Sequence, residues 1–492
     1  MSRRLESLAF VSVVLAGAAW RFGSTVADPD LWGHIRFGQD KIAAGSYIGT
    51  DVYSYLTHGR TWFNHEWGGE VIMAGIYDQF GPQGLSLIKV GLTFGVVATL
   101  VWFIITKGVR PIRASILGLL AVIALTPTLG TFRPQIFTVV FFASLLLLIE
   151  LVERGARWPL FVFPLMFVLW VNVHGGVLAG LAVLGTWAVL HAIFGQAEGR
   201  WWPLLSAGAS LALSALNPNG VAHLWFLIRT TTVSRPEILD WQPLQILSPV
   251  GIVYLGLVLG MLVSLYVARR QLPLPTTIPL LVLLVAPFVS TRHLQLAVPA
   301  IFILGGVALA EASARLDAGR EGAASLPAWL SLGVVVASWA FILPSVLVGS
   351  SCIPVDSSQF QFPTRAMHAL AGASGKAIVP FNWGEYAISL AGPELQVSID
   401  GRRETVYADD VIQANLDFMA GTGEWERLME MEMPDFVLVP SSSPAAAQMS
   451  DRVGWAVVYQ DSVAEIFAPG PAEDLSADPM LPANGDGMCF PA

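Results

Sequence analysis

Cysteine is nearly missing from this chain, with two residues in 492. Cys352 and Cys489 are too few for a disulfide-dense secreted scaffold, and no CxxC or clustered His/Cys spacing offers a zinc site. Charge is scarce too: only 13% of residues are Asp, Glu, Lys or Arg, which excludes an ordinary soluble domain. The acidic excess of residues 349–492 argues against an anionic partner for that region, with solubility as the plainer explanation, and no nucleic-acid partner is expected. No internal repeat is visible. No small-residue cleavage site follows the first apolar stretch, which runs on into Trp20, Arg21 and Phe22 and so reads as a retained span.

What the chain has in abundance is apolar sequence: 54% hydrophobic residues and a mean hydropathy of +0.62. Stretches of roughly 17–25 apolar residues read as membrane-spanning helices. They fall at about 5–22, 84–106, 114–131, 135–152, 158–174, 175–194, 201–217, 247–267, 276–291, 293–311 and 328–348. The expected fold class is therefore a multi-pass α-helical membrane protein of about 11 transmembrane helices with a C-terminal soluble α/β domain. Short-loop basic residues set the orientation. Arg3, Arg4, Lys107, Arg110, Arg113, Arg154, Arg157, Arg200, Arg269, Arg270, Arg315 and Arg320 occupy alternate loops. That places the N-terminus in the cytoplasm and the C-terminal domain outside, in the periplasm or beyond, with the chain in the cytoplasmic (inner) membrane.

Charge separates the parts. Residues 349–492 hold six Lys and Arg against twenty Asp and Glu, whereas 1–348 is weakly basic. The expected division is a polytopic domain 1–348 carrying a large first outer loop 23–83, an exported α/β domain 349–469, and a loosely ordered tail 470–492. Strand-like runs at 376–381, 395–399, 435–439, 455–460 and 463–467 alternate with helical patterns near 363–373, 383–391, 408–419 and 424–431. A Cys352–Cys489 bond is compatible with an oxidising compartment if the two ends of that domain meet. Within the first outer loop, 70–82 has helical apolar spacing and reads as an interfacial helix, and the loop 218–246 reads as lying along the membrane surface.

Polar and ionisable residues gather at one end of the apolar segments, and at membrane depth such a set is a functional-site hypothesis. Asp28-Pro-Asp30 follows the first segment, with His34, Arg36, Asp51, His65 and Glu66 in the same loop. Two close carboxylates can bind a divalent cation such as Mg²⁺ or Mn²⁺ through oxygen, or one can act as general base towards a hydroxyl. Alone, the triplet fits a solvated turn with Asp30 capping a helix through 31–43; its company favours chemistry. WFNHEWGGE, 62–70, sets His65 and Glu66 in an aromatic frame suited to sugar. It is not the zinc-protease HExxH, since Gly69 stands where the second His would be. Further along, Asn172 and His174 of WVNVHGG, Arg133, Arg292 and His293 recur at the same end. Arginine there suits phosphate recognition, with snorkelling to lipid headgroups as the plainer reading.

The order DPDLWGHIRFG, DVYSYLTHGRTWFNHEWGGE, WVNVHGG, ALNPNG, TRHLQL, NWGEY and SIDGRRETVY resembles bacterial multi-pass proteins of the GT-C glycosyltransferase superfamily. It is similar to the dolichyl-phosphate-mannose:protein mannosyltransferase and lipid A aminoarabinose transferase group. The resemblance implies a transferase that moves a sugar from a polyprenyl-phosphate-linked donor to a lipid, glycan or protein acceptor at the outer face. It also implies a catalytic base in the first outer loop, at Asp30 or Asp28, with Asp28 as metal ligand or second acid. Asp400, Arg402 and Arg403 of SIDGRR are expected at a junction between domain and membrane. The DPD triplet departs from the usual Asp-Glu pair, which leaves the base and metal use open. The alternatives are a transporter or flippase, a polymerase or ligase of lipid-linked glycans, and a non-enzymatic assembly protein. A transporter calls for polar groups through the full membrane thickness, and mid-helix charges are nearly absent here.

Overall fold

The computed structural model describes residues 2–195, 199–233, 235–236, 238–269, 273–318, 325–355, 360–471 and 473–491. Arg270 and Arg320 of the orientation argument lie outside the described residues. The chain divides into two compact units that do not follow the expected boundary. One comprises Met1–Thr25 with Ser86–Ser351, the other Val26–Leu85 with Cys352–Ala492. The first outer loop, expected with the apolar segments of 1–348, belongs instead with the C-terminal residues. Composition could not show this, because the loop is neither strongly acidic nor apolar.

The first unit is helical. Among the described residues, six helices are long and apolar enough to cross a membrane, or seven if the bent pair Thr291–Ile303 and Gly306–Asp317 is one span. Four shorter apolar helices, Pro111–Ala124, Pro159–Val173, Trp202–Leu213 and Leu274–Phe288, overlap other expected segments. Each is shorter than the roughly 20 residues that a straight crossing needs. The expected count of about 11 is therefore not reproduced by length and composition. Breaks at proline explain part of the shortfall: the segment at 114–131 ends its first helix at Ala124 and restarts as Thr126–Leu129 around Pro127. The run Trp67–Thr106 is likewise two helices, broken at Gly81 (φ 63°) just before Pro82. That break separates the expected surface helix 70–82 from the span that follows. Helix Gly220–Thr230 occupies the expected surface loop 218–246.

The two ends of this bundle differ in chemistry. Helix Gln135–Glu153 is 19 residues long, about 28 Å at the α-helical rise. Near its C-terminus Glu150 pairs with Lys107 and with Arg154. Arg110 and Arg113 meet Asp317 at 2.7 and 2.6 Å. The basic residues after the second segment are thus tied to acidic partners on neighbouring helices, and Arg154 to one on its own helix. At the opposite end Gln135 accepts a bond from Arg292 at 3.2 Å. Helix Ala328–Ser350 presents Trp329, Leu332, Val336 and Leu347 outward, an apolar surface suited to hydrocarbon.

The second unit is α/β. Its five-stranded sheet has the order β2-β1-β3-β5-β4, where β1 is Gly375–Ile378, β2 Leu395–Val397, β3 Phe436–Pro440, β4 Trp455–Gln460 and β5 Ala464–Pro469. β1 runs parallel to β2 and β3, while β5 is antiparallel to β3 and β4. Ile378, Phe418, Val437, Val439, Met449 and Phe467 form a core under it. The loop from the N-terminal third builds on the β2 edge. Ser54 bridges to Val397, and the Tyr55 N–H donates to the Val397 carbonyl. Helix Leu31–Ala44 packs on helix Gly384–Ala391. Trp32 stacks among Phe362, Tyr386 and Phe490, its centroid 4.7 Å from each of the first two and 5.3 Å from the third.

Cys352 and Cys489 are bonded, their Cα atoms 5.3 Å apart. The end of the tail is correspondingly fixed: Phe490 is buried and the Pro491 carbonyl accepts from the Trp32 indole. Between residues 473 and 488 the tail has no regular helix or strand.

Candidate active site

Asp30 stands at the start of helix Leu31–Ala44 but does not use its side chain to cap it. The residue lines a small cavity of about 70 Å³, partly open to solvent and bounded by Asp30, His34, Phe37, Trp62, Asn64, His65, Glu66, Glu70, Glu385, Gly401, Arg402 and Thr405. All of these belong to the second unit. Helical spacing puts Asp30, His34 and Phe37 on one face, and the WFNHEWGGE stretch supplies the facing wall. Two glycines make the close approach possible. A Cβ on Gly33 would lie 2.0 Å from Glu385 Oε2, and one on Gly401 would lie 2.5 Å from Asp30 Oδ1 and 2.7 Å from Glu385 Oε1.

Behind this wall lies a buried ionic framework. Arg402 donates to Asp51 Oδ1 (2.7 Å) and, through two nitrogens, to both oxygens of Asp400 (2.8 and 2.7 Å). The Tyr407 hydroxyl donates to Asp400 at 2.6 Å and the Thr57 hydroxyl to Asp51 at 2.6 Å. The guanidinium is ringed by Trp62, Tyr53 and Phe37, with ring centres 4.8, 5.1 and 5.2 Å away. A second buried set joins Lys41 Nζ to Glu70 Oε2 at 2.8 Å, with Asn64 donating to the same oxygen at 2.7 Å. Glu70 Oε1 lies 3.7 Å from His34 Nδ1, and Glu66 Oε2 lies 3.9 Å from it. Burial by itself would lower the His34 pKa, but the adjoining carboxylates of Glu70, Glu66 and Asp30 hold it above the ordinary value. The imidazole is therefore biased towards its charged form. Glu385 is pushed well above the carboxylate range, first by burial and then by the charges of Asp30 and Asp400, with Arg402 opposing.

Of the expected site residues, the structure brings Asp30, His34, His65 and Glu66 to one cavity. Asp51 lies one layer behind, anchoring Arg402. Asp28 does not line the cavity; its Oδ1 accepts the Asp30 N–H at 3.0 Å in a tight turn. Arg36 also turns away, onto Asp40 at 3.0 Å and the Ile388 carbonyl. No group of three or more His, Cys, Asp or Glu side chains is placed to hold a metal ion among the described residues. Arg402, expected at a junction with the membrane, is buried inside the second unit together with Asp400.

The remaining candidates belong to the first unit. The Gly176 N–H and the Thr138 hydroxyl both lie on His174 Nδ1, at 2.9 and 2.8 Å, which puts the ring proton on Nε2. Trp170 Nε1 in turn donates to Thr138 Oγ1 at 2.9 Å. Asn172 bonds the Val168 and Leu216 carbonyls and meets Asn217. Arg292 lies 3.4 Å from Asp240 and over the Trp241 ring. His293 Nδ1 is 3.0 Å from the Ala286 carbonyl. Arg133 is half-buried at the start of the Gln135 helix. Sequence reasoning passed over Glu385, Asn64 and Lys41. Glu385 had one visible signal, a lone acid between Gly384 and Tyr386 in NWGEY; Lys41 had none.

No protein-family model and no curated protein sequence matches the chain. Solved structures do. An Archaeoglobus fulgidus oligosaccharyltransferase tethered to an acceptor peptide aligns at a TM-score of 0.58 and 11% identity, over 87% of this chain and 68% of that one. The oligosaccharyltransferase AglB of the same organism, with an inhibitory peptide and a dolichol-phosphate, gives 0.58 and 12% over 89% and 69%. The mycobacterial arabinofuranosyltransferase AftD gives 0.51 and 17% over 96% of this chain and 42% of that one. Identities this low speak for the fold alone. The chain is an integral membrane protein with the fold of the GT-C membrane glycosyltransferases.

Proposed function

We propose that the chain is a glycosyltransferase that moves a sugar from a polyprenyl-phosphate-linked donor to an acceptor hydroxyl at the outer face of the cytoplasmic membrane, with Asp30 as general base. The observation that carries this reading is the convergence of Asp30, His34, His65 and Glu66 on one cavity, in a chain with the GT-C fold. The acceptor oxygen attacks the anomeric carbon as the bond from that carbon to the phosphate oxygen breaks. The hydroxyl proton passes to Asp30, and the lipid leaves as its phosphate. His65 and Glu66 orient the sugar or acceptor by hydrogen bonds, and the charged His34 holds the carboxylates of the cavity in place.

Two further points support the reading. AglB was solved with a dolichol-phosphate, a lipid phosphate of the proposed donor class. The Cys352–Cys489 bond suits an oxidising compartment, as a non-cytoplasmic second unit would need. The decisive test is Asp30→Asn, which keeps shape and removes the base. Glycan product in cells carrying the variant is expected to fall by about 10²–10⁴-fold while the protein stays folded in the membrane. Product at the wild-type level would end the proposal.

A further inference from the structure

Glu385 and Glu70 are the acidic groups of the cavity wall to which the proposed mechanism gives no role; Glu70 is paired with Lys41, whereas Glu385 has no such cation of its own. Its side chain is 4% exposed, and Oε2 has no hydrogen-bond partner. Asp30 comes from the start of helix Leu31–Ala44, Asp400 from the turn after β2, and Glu70 from helix Trp67–Thr106; all three act on it as negative charges. The neighbouring cation, Arg402, is already engaged by Asp51 and Asp400. His34 lies in the same cavity but faces Glu66 and Glu70, and Arg36 is held by Asp40. An ionised carboxylate here would be both desolvated and repelled, so the neutral acid is the form that fits. A neutral carboxyl carries an O–H, and an unsatisfied buried donor calls for an acceptor. Gly33 and Gly401 leave the room through which it approaches Asp30.

We propose that Glu385 is a protonated carboxylic acid that donates its hydrogen bond to a hydroxyl oxygen of the sugar or acceptor bound against Asp30. The two carboxyls then divide the work: Asp30, ionised, accepts a proton, and Glu385, neutral, reads an oxygen. This inference rests on the transferase reading but fails separately from it.

The test uses full-length protein in membrane vesicles, with transfer measured from the lipid-linked donors those membranes hold, and infrared difference spectra of the same protein in lipid nanodiscs. A protonated-carboxyl C=O band is expected at neutral pH in the wild type and is expected to vanish in Glu385→Gln. Glu385→Gln keeps a neutral donor and is expected to transfer within about threefold of wild type. Glu385→Leu removes the donor at similar volume and is expected to lose about tenfold or more. Because the acid must stay protonated, wild-type transfer falls as pH rises through the raised Glu385 pKa, and Glu385→Gln removes that fall. An ionised Glu385 at neutral pH, or undiminished transfer by a folded Glu385→Leu protein, overturns the inference. If Asp30→Asn abolishes transfer and Glu385→Leu does not lower it, the inference falls and the transferase stands. If Asp30→Asn leaves transfer unchanged while the band is present, the transferase mechanism falls and the neutral acid stands.

Discussion

The two units solve the problem of buried polarity in opposite ways. In the first, the polar groups buried at the His174 end are mostly neutral and satisfied in short relays, such as Trp170 to Thr138 to His174. Its lone fully buried cation, Lys89 among the described residues, is bonded to the carbonyls of Ser24 and Gly130. In the second, the interior holds Asp51, Asp400, Arg402, Lys41, Glu70 and Glu385, all nearly inaccessible. Removing one partner from such a set leaves a charge uncompensated, and that is far more costly than losing a neutral hydrogen bond. The lesson is that the second unit relies on buried electrostatics and the first on packing and neutral hydrogen bonds.

Three substitutions can break or sharpen that contrast. Arg402→Met should have the largest effect, destabilising the second unit by about 3–5 kcal/mol as Asp51 and Asp400 lose their shared cation. Loss of protection of residues 352–492 in limited proteolysis of the full-length protein would show it. Replacing Cys352 and Cys489 by serine should remove about 2–4 kcal/mol from the same unit, seen as a lower unfolding midpoint that leaves the first unit unchanged. Thr138→Val should cost least, about 1–2 kcal/mol, by leaving the Trp170 indole N–H without its acceptor. If Arg402→Met costs no more than Thr138→Val in denaturant titrations, the contrast between the units is wrong.

The elements of the second unit were legible in the sequence because each strand carries a short apolar run bounded by turn residues. All five observed strands fall on expected runs. Helix Pro444–Ser450 escaped notice: its PAAAQMS carries too few large apolar residues to show a period. The expected span count is not reproduced by helix length for a related reason. Hydropathy records apolar length and is blind to the breaks at Pro127 and Pro287 that set helix length. Asp30, His34, His65 and Glu66 could be found because ionisable side chains are conspicuous next to apolar segments. Asp28 and Asp51 were equally conspicuous, and nothing in the pattern separates a carboxylate facing the cavity from one locked in a turn or behind an arginine. Glu385 and Arg402 lie more than 300 residues from Asp30 in the chain. Their partnership is tertiary, so no local pattern could report it.

The assembly of the second unit from residues on both sides of Ser86–Ser351 has a biosynthetic consequence. A ribosome adding roughly 5–20 residues per second needs on the order of tens of seconds to make the intervening stretch. Throughout that interval the nascent loop carries Asp51 without the Arg402 that neutralises it and Trp32 without the rings that cover it. A message truncated before codon 402 would yield a membrane-inserted product whose second unit never completes, and quality-control proteases would meet it as an exposed aromatic flap.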